Sequence, residues 1–183
     1  MKKNEINQED DILIQSFITV EFLAELHNNN FLNSEYFNEL NVQDTNVKSI
    51  MPQIGIDNQG FLLMALYALL VIPKQLLKDK FPDDFEALNK YIFSIQMNSF
   101  STYKNEERID KIDFIRRIRN AVAHGRVKFT PTISVTFSDK DTDKKGYVKS
   151  SCDITIPLNQ TGNLMSKLQN IFLKYYEQKN KLN

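Results

Sequence analysis

One amphipathic helix, followed directly by a change of hydrophobic period, constrains the fold of this chain more than any other feature. Residues 114–124 place apolar side chains at helical spacing among basic ones, and Gly125 follows as a typical glycine stop. Apolar residues then occupy every second position, at 133, 135 and 137 and again at 152, 154 and 156. This period of two predicts strands, and the charged stretch between them predicts a β-hairpin over residues 131–157.

The other segments show helical patterns. Cap residues, prolines and apolar spacing predict the boundaries of these helices. Helices are expected near residues 10–27, 34–40, 82–97 and 159–179, with residues 41–56 as a loop. Another helix is expected from residue 57, and Pro73 lies inside its pattern and should kink or divide it. The helix that ends at Gly125, called the motif helix here, is expected to begin near Arg108. We therefore predict a mainly α fold, a helical bundle with one β-hairpin inserted between the motif helix and the C-terminal helix.

Composition sets the class of protein. The 183 residues, of which 42% are hydrophobic, predict a single globular domain over residues 1–183, with residues 1–9 frayed. Lysine and arginine together number 23, as do aspartate and glutamate, so any basic site must be local. The N-terminus lacks the apolar stretch of a signal peptide, and the longest apolar run, residues 61–72, is too short to cross a bilayer. We expect a cytoplasmic protein that does not bind membranes.

Metal chemistry and disulfide chemistry are not expected. The single cysteine, Cys152, cannot form a disulfide within the chain, and His27 and His124 are too far apart in sequence to form a zinc motif. Residues 139–143 begin like a calcium loop, but Lys144 and Ser150 stand where that loop requires glycine and glutamate. We interpret residues 139–143 as a solvated hairpin tip and predict no metal and no cofactor.

The motif helix carries a cation and a proton-transfer group. At 100° per residue, Asn120 and His124 share one face, whereas Arg119 lies at the edge of the apolar stripe, roughly 140° from His124. When Arg119 and His124 belong to the same helix, their side chains cannot easily contact the same small group. Two copies packed about a two-fold axis would let the arginine of one meet the histidine of the other. The spacing therefore favours a homodimer formed through the motif helix.

A local excess of positive charge surrounds the motif. No aspartate or glutamate occurs from Phe114 to Ser138, a pattern that phosphate binding requires. The predicted contacts to an RNA backbone are Arg116, Arg117, Arg126 and Lys128. A simpler interpretation remains open, because arginines on amphipathic helices are usually solvated and a histidine near a helix C-terminus is stabilised by the dipole.

The run Arg119, Asn120 and His124 resembles the signature of the HEPN superfamily, in which an arginine, commonly followed by a polar residue, precedes a histidine by five positions. The resemblance implies a helical bundle that dimerises through its motif helices. Many similar proteins are metal-independent endoribonucleases of toxin–antitoxin and phage-defence systems. In one subgroup, which pairs with a nucleotidyltransferase antitoxin, a tyrosine often lies two residues beyond the histidine, and Arg126 occupies that position here.

The resemblance also implies roles for the three residues. His124 would take the proton from a ribose 2′-OH or protonate the leaving oxygen, and Arg119 would stabilise charge on the phosphorus. Asn120 would orient His124 or the phosphate. The implied partners are RNA, a second copy of the chain and possibly an antitoxin protein. Some similar bundles are regulators without catalysis, so a catalytically inactive RNA- or protein-binding module is the alternative, and a structural bundle with a fortuitous motif is a third.

Overall fold

The computed structural model describes residues 8–73, 76–104 and 109–180. Most of these residues are helical, and four strands form one antiparallel sheet. This confirms the predicted mainly α fold class with a β-hairpin before the C-terminal helix. The chain divides after Ala68 into two compact units. Among the described residues, no single helix has the length and hydropathy of a membrane span; α-helical segments at 45–54 and 59–71 pass that test only as a pair bent by 92°.

The first unit contains four helices, each begun by local capping except the first. Ser34, Asp44 and Asn58 accept hydrogen bonds from backbone N–H groups in the first turns of the second, third and fourth helices. The bounds are α1 Gln8–Asn28, α2 Glu35–Glu39, α3 Thr45–Ile54 and α4 Gln59–Leu66. Of the predicted frayed segment 1–9, residues 1–7 lie outside the described residues, and residues 8 and 9 already belong to α1.

The prediction of a loop over residues 41–56 is wrong, because α3 occupies most of it. Pro52 lies inside α3 near its C-terminal end, and Gly55, with φ +74°, donates to the Met51 carbonyl and ends the helix. The stabilisation from the Asp44 cap and from the other hydrogen bonds of this ten-residue helix is therefore larger than the loss of one hydrogen bond at Pro52. After α4, a π-helical turn, Tyr67–Val71, carries the chain to Pro73.

The second unit contains the remaining helices and the sheet. Pro82 occupies the first turn of its helix, followed by Asp83 and Asp84, which face the positive end of the dipole as predicted. The bounds are α5 Leu76–Lys80, α6 Pro82–Ile95, α7 Phe114–Ala123 and α8 Leu158–Asn180. The predicted apolar face of α8 is buried, with Leu164, Leu168, Ile171, Phe172 and Tyr175 all at most 4% exposed.

The sheet has the strand order β1-β4-β3-β2. Its bounds are β1 Thr102–Lys104, β2 Val127–Thr130, β3 Ser134–Thr142 and β4 Val148–Pro157. The hairpin β3–β4 confirms the prediction, and its inner face pairs Val135 with Ile156 and Phe137 with Ile154. Strands β1 and β2 are additions that the sequence pattern did not predict, since one has three residues and the other four. Both complete the sheet by pairing with the outer edges of the hairpin.

The motif helix is α7, and it begins later than predicted. Residues 109–111 form a separate 3₁₀ turn, and Asp113 caps α7 by accepting a hydrogen bond from the Arg116 N–H at 3.0 Å. At the other end, Gly125 donates to the Val122 carbonyl and Arg126 donates to the Ala121 carbonyl. This pair of bonds is a Schellman motif with Gly125, at φ +64°, in the left-handed position. The turn delivers the chain directly into β2.

Packing fixes α7 against the rest of the unit. Ile118 and Ala121 are fully buried, and α7 contacts both α6 and β3. From α6, the Asn89 side chain accepts the Ile115 N–H at 3.0 Å. Phe114 contacts the ring of Tyr103 edge-on at 6.1 Å between centroids. Burial, more than the nearby Cys152, raises the pKa of Tyr103 to about 12.

We predict that Gly125→Ala lowers the free energy of unfolding by about 1 kcal/mol, because the left-handed backbone disfavours a Cβ atom. A Cβ at position 125 meets no atom within 4 Å, so the cost is conformational rather than steric. Gly162→Ala is the matched control, since Gly162 lies inside α8 with equally open surroundings, and it should raise stability by up to about 1 kcal/mol. Urea denaturation measures both. Equal effects of the two substitutions would contradict this account of the turn.

Candidate functional site

A buried carboxylate, Asp139, lies between the sheet and the motif helix. Its residue is 4% exposed and stands in β3 opposite Cys152 of β4. Asp139 continues the inward period of Val135 and Phe137, so its side chain faces α7. The prediction that Asp139 belongs to a solvated hairpin tip is therefore wrong. The tip begins four residues later, where the Asp143 side chain accepts the Lys145 and Tyr147 N–H groups.

Arg117 is the principal partner of this carboxylate. The Arg117 residue is 3% exposed, and its Nη1 lies 3.0 Å from Asp139 Oδ2 and 3.2 Å from Asp141 Oδ2. Its Nη2 donates to the Ser150 hydroxyl at 3.2 Å. The structure therefore contradicts the placement of Arg117 among the exposed cations for RNA. Arg117 lies on the polar side of the motif helix, but that side faces the sheet here. Two acidic side chains of β3, Asp139 and Asp141, pair with Arg117.

Asn120 connects the buried carboxylate to Arg119. The Asn120 Nδ2 donates to Asp139 Oδ2 at 3.3 Å, and the Asn120 Oδ1 accepts from Arg119 Nη2 at 3.3 Å. The carboxylate thus fixes which end of the amide faces Arg119, because Asp139 accepts only from the NH₂ group. Sequence reasoning assigned Asn120 to His124 or to the phosphate. In the structure Asn120 bonds to Arg119 and Asp139, and its role towards His124 or a phosphate stays a prediction.

His124 lies at the opposite end of the motif from this network. It is the C-cap residue of α7, with φ −100° and ψ 8°, and it is exposed to solvent. Among the described residues, no hydrogen bond or ion pair reaches its imidazole, and it does not line the cleft on which Arg119 lies. Arg119 lines this cleft within one copy of the chain, and His124 does not.

The other predicted cations remain near the surface. Arg116 and Lys128 are exposed, and Arg126 is half-buried with its Nη1 4.0 Å from Asp139 Oδ1. The patch is thus smaller than the sequence suggested, because Arg117 is neutralised inside the fold. Among the described residues, no group of three or more histidine, cysteine, aspartate or glutamate side chains is arranged to hold a metal ion.

Sequence reasoning missed two residues of the site, Asp139 and Lys78. The burial of Asp139 could have been predicted, because its position continues the period of two along β3. Lys78 gave no signal. It lies in α5, far from the motif in sequence, and its Nζ pairs with Asp113 Oδ2 at 2.6 Å beside the start of α7.

We predict that Asp139→Ala lowers the free energy of unfolding by about 3 kcal/mol, because it leaves Arg117 buried with a weakened counter-charge. Asp141→Ala is the matched control. It removes a carboxylate from the same guanidinium, but the Asp141 side chain is 46% exposed, so its loss should cost at most about 1 kcal/mol. Guanidinium chloride denaturation measures the difference. Similar losses for the two variants would show that burial of Asp139 does not govern the interaction.

One comparison with known proteins identifies a family for this chain. The family described as HEPN pEK499 p136 matches residues 1–179, nearly the whole chain. Searches of curated proteins and of solved structures find no match. Because the family match extends over both compact units and includes Arg119, Asn120 and His124, the resemblance does not rest on the short motif alone. The chain therefore belongs to the HEPN pEK499 p136 family.

Proposed function

We propose that this protein is a metal-independent HEPN-type endoribonuclease, a cytoplasmic homodimer that serves as a toxin or phage-defence effector. One observation carries the proposal: the motif supplies an anchored cation and an open imidazole. Arg119 is held by a neutral amide, and no carboxylate among the described residues lies within ion-pair distance of it. His124 is exposed at the end of the same helix. Its imidazole is accessible to substrate.

The proposed reaction is a transesterification within the RNA strand. His124 accepts the proton of a ribose 2′-OH as that oxygen attacks the adjacent phosphorus. The bond from phosphorus to the 5′ oxygen breaks, the leaving oxygen takes a proton from water, and His124 later returns its proton to the solvent. Arg119 stabilises the additional negative charge on the phosphoryl oxygens. The products are a 2′,3′-cyclic phosphate and a 5′-hydroxyl end.

The proposed active site is shared between two copies. Arg119 faces the cleft beside the start of α7, whereas His124 lies beyond the last turn of that helix. Antiparallel pairing of two motif helices about a two-fold axis near residues 121 and 122 places Arg119 of one copy opposite His124 of the other. Arg116, Arg126 and Lys128 attract the RNA backbone around this composite site, and a protein antitoxin that covers it would block access.

A second function is a catalytically inactive RNA- or protein-binding regulatory module. A specific observation favours it: Asn120 is occupied by Asp139 and Arg119, and within the described residues no partner orients the His124 imidazole. A general base is usually held by a further group, as in catalytic triads. In this alternative, the cations set affinity and His124 has little influence.

We predict that the purified protein cleaves single-stranded RNA in EDTA and leaves 2′,3′-cyclic phosphate ends. His124→Ala and Arg119→Ala should each lower the cleavage rate by at least about a hundredfold, the scale of one proton-transfer group or one charge stabiliser. His27→Ala is the matched control, because it removes the other histidine, which lies in the first unit beside Asp57. Undiminished cleavage by His124→Ala would exclude the proposed mechanism. Binding without cleavage by the wild type would favour the regulatory module.

We predict that the Arg119→Ala and His124→Ala proteins, each inactive alone, recover activity when mixed. Light scattering should first give twice the 21.4 kDa chain mass. In the mixed dimer one composite site is doubly damaged and the other is intact, so random exchange should restore about a quarter of the wild-type rate. No recovery after verified subunit exchange would mean that Arg119 and His124 act within one chain. A monomer would also contradict the shared site.

A further inference from the structure

Arg119 lines a small cleft, and the other residues of this cleft lie outside the Arg119, Asn120 and His124 motif. The cleft has a volume of about 50 Å³, and all its lining residues belong to the second unit. Its apolar wall comes from Leu69, Leu70, Pro73, Phe85 and Ile115. Its polar wall comes from Lys78, Asp113, Arg116 and Arg119. Three cations and one carboxylate give the cleft a net charge of +2.

The charges of this cleft are incompletely balanced within the described residues. Lys78 and Asp113 neutralise each other through their 2.6 Å ion pair. Neither Arg116 nor Arg119 has a described carboxylate within ion-pair distance. The two arginines are three apart on α7, so they lie side by side on the same edge of the helix. Two neighbouring guanidinium groups repel each other, and an anion between them removes that repulsion.

The start of α7 does not itself provide the anion site. The Asp113 side chain already accepts the Arg116 N–H, so the helix terminus is capped by its own carboxylate. An incoming anion must therefore bind through side chains. Arginine suits this task, because its fork of N–H donors matches the oxygens of a phosphate group.

The cleft has room for a small anion. Its volume exceeds the space that one water molecule needs, so a tetrahedral oxyanion fits beside the two arginines. We propose that the cleft of Lys78, Arg116 and Arg119 binds one phosphate group, and that this group is a backbone phosphate of the RNA strand. The RNA source rests on the proposed function; the affinity for phosphate does not.

Lys78 has a defined part in this site. Its pairing with Asp113 neutralises that carboxylate and reduces its repulsion of the bound anion. Removal of Lys78 would leave an unpaired negative charge on the wall of the cleft. Lys78 is therefore a binding residue supplied by α5, outside the motif helix and outside the acid-free stretch of the sequence.

Two variants test the cleft against one matched control. Arg116→Ala removes an exposed cation that has no ion pair among the described residues, so it should fold normally even if Lys78→Ala does not. Lys174→Ala is the control, because it breaks another 2.6 Å lysine–aspartate pair, with Asp84, away from the cleft. All three variants lose one positive charge. Circular dichroism melting identifies any variant that is unfolded.

The first measurement uses inorganic phosphate and isothermal titration calorimetry at constant ionic strength. Phosphate should bind about tenfold more weakly to Arg116→Ala and Lys78→Ala than to the wild type, the loss expected for one charged hydrogen-bond donor. Lys174→Ala should bind phosphate like the wild type. No difference between folded Arg116→Ala and Lys174→Ala would overturn the cleft as a phosphate site.

The second measurement identifies the source of the phosphate with a 2′-O-methylated single strand, which has no 2′-OH and cannot be cleaved. Arg116→Ala should flatten the logarithmic salt dependence of binding by roughly 0.7, one phosphate contact, and Lys174→Ala should not. Weaker phosphate binding with an unchanged RNA salt slope would overturn the RNA source and assign the cleft to a free phosphate. The methylated strand measures binding alone. If the wild type does not cleave unmodified RNA, that result would contradict the proposed function, but it would not change the binding result.

Discussion

The buried ion pair between Arg117 and Asp139 is the interaction on which the site depends. It joins the motif helix to the sheet where both residues are at most 4% exposed. A charge in such a place is stable only when it is paired and hydrogen-bonded, so each partner requires the other. Asp139 also holds Asn120, and Asn120 holds Arg119. Asp139 thus contacts Arg119 indirectly, through two hydrogen bonds made by Asn120.

The two ends of the motif helix have different structures, and they present different side chains. At the start, Asp113 caps the helix, pairs with Lys78 and creates a cleft with an apolar wall. At the end, the Schellman turn at Gly125 exposes His124 and passes the chain into β2. Lys78 and Arg116 therefore lie beside the start of the helix, Arg119 lies at its middle, and the imidazole of His124 is exposed at its end. A two-fold pairing of helices is the simplest arrangement that unites them, which is why we propose a shared site.

The fold places acidic side chains beside basic ones that lie far from them in sequence. The sequence has no acidic residue between Phe114 and Ser138, and it therefore suggested a continuous basic surface. The fold brings Asp139 and Asp141 from β3 onto that stretch and withdraws Arg117 from solvent. It also adds Lys78 from α5 beside Arg116 and Arg119. The exposed basic patch is consequently smaller than the sequence indicated.

Several features could be predicted from the chain alone because their signals are local: the glycine stop at residue 125, the period of two in the hairpin, the proline start of α6 and the Arg119, Asn120 and His124 motif. These depend on backbone conformation and on neighbours within one turn. The short strands β1 and β2, the burial of Arg117 and the contact of Lys78 with Asp113 depend instead on how the elements pack in three dimensions. Strands of three and four residues have too short a pattern to detect, and partners 22 or 35 residues apart meet only when separate elements pack together.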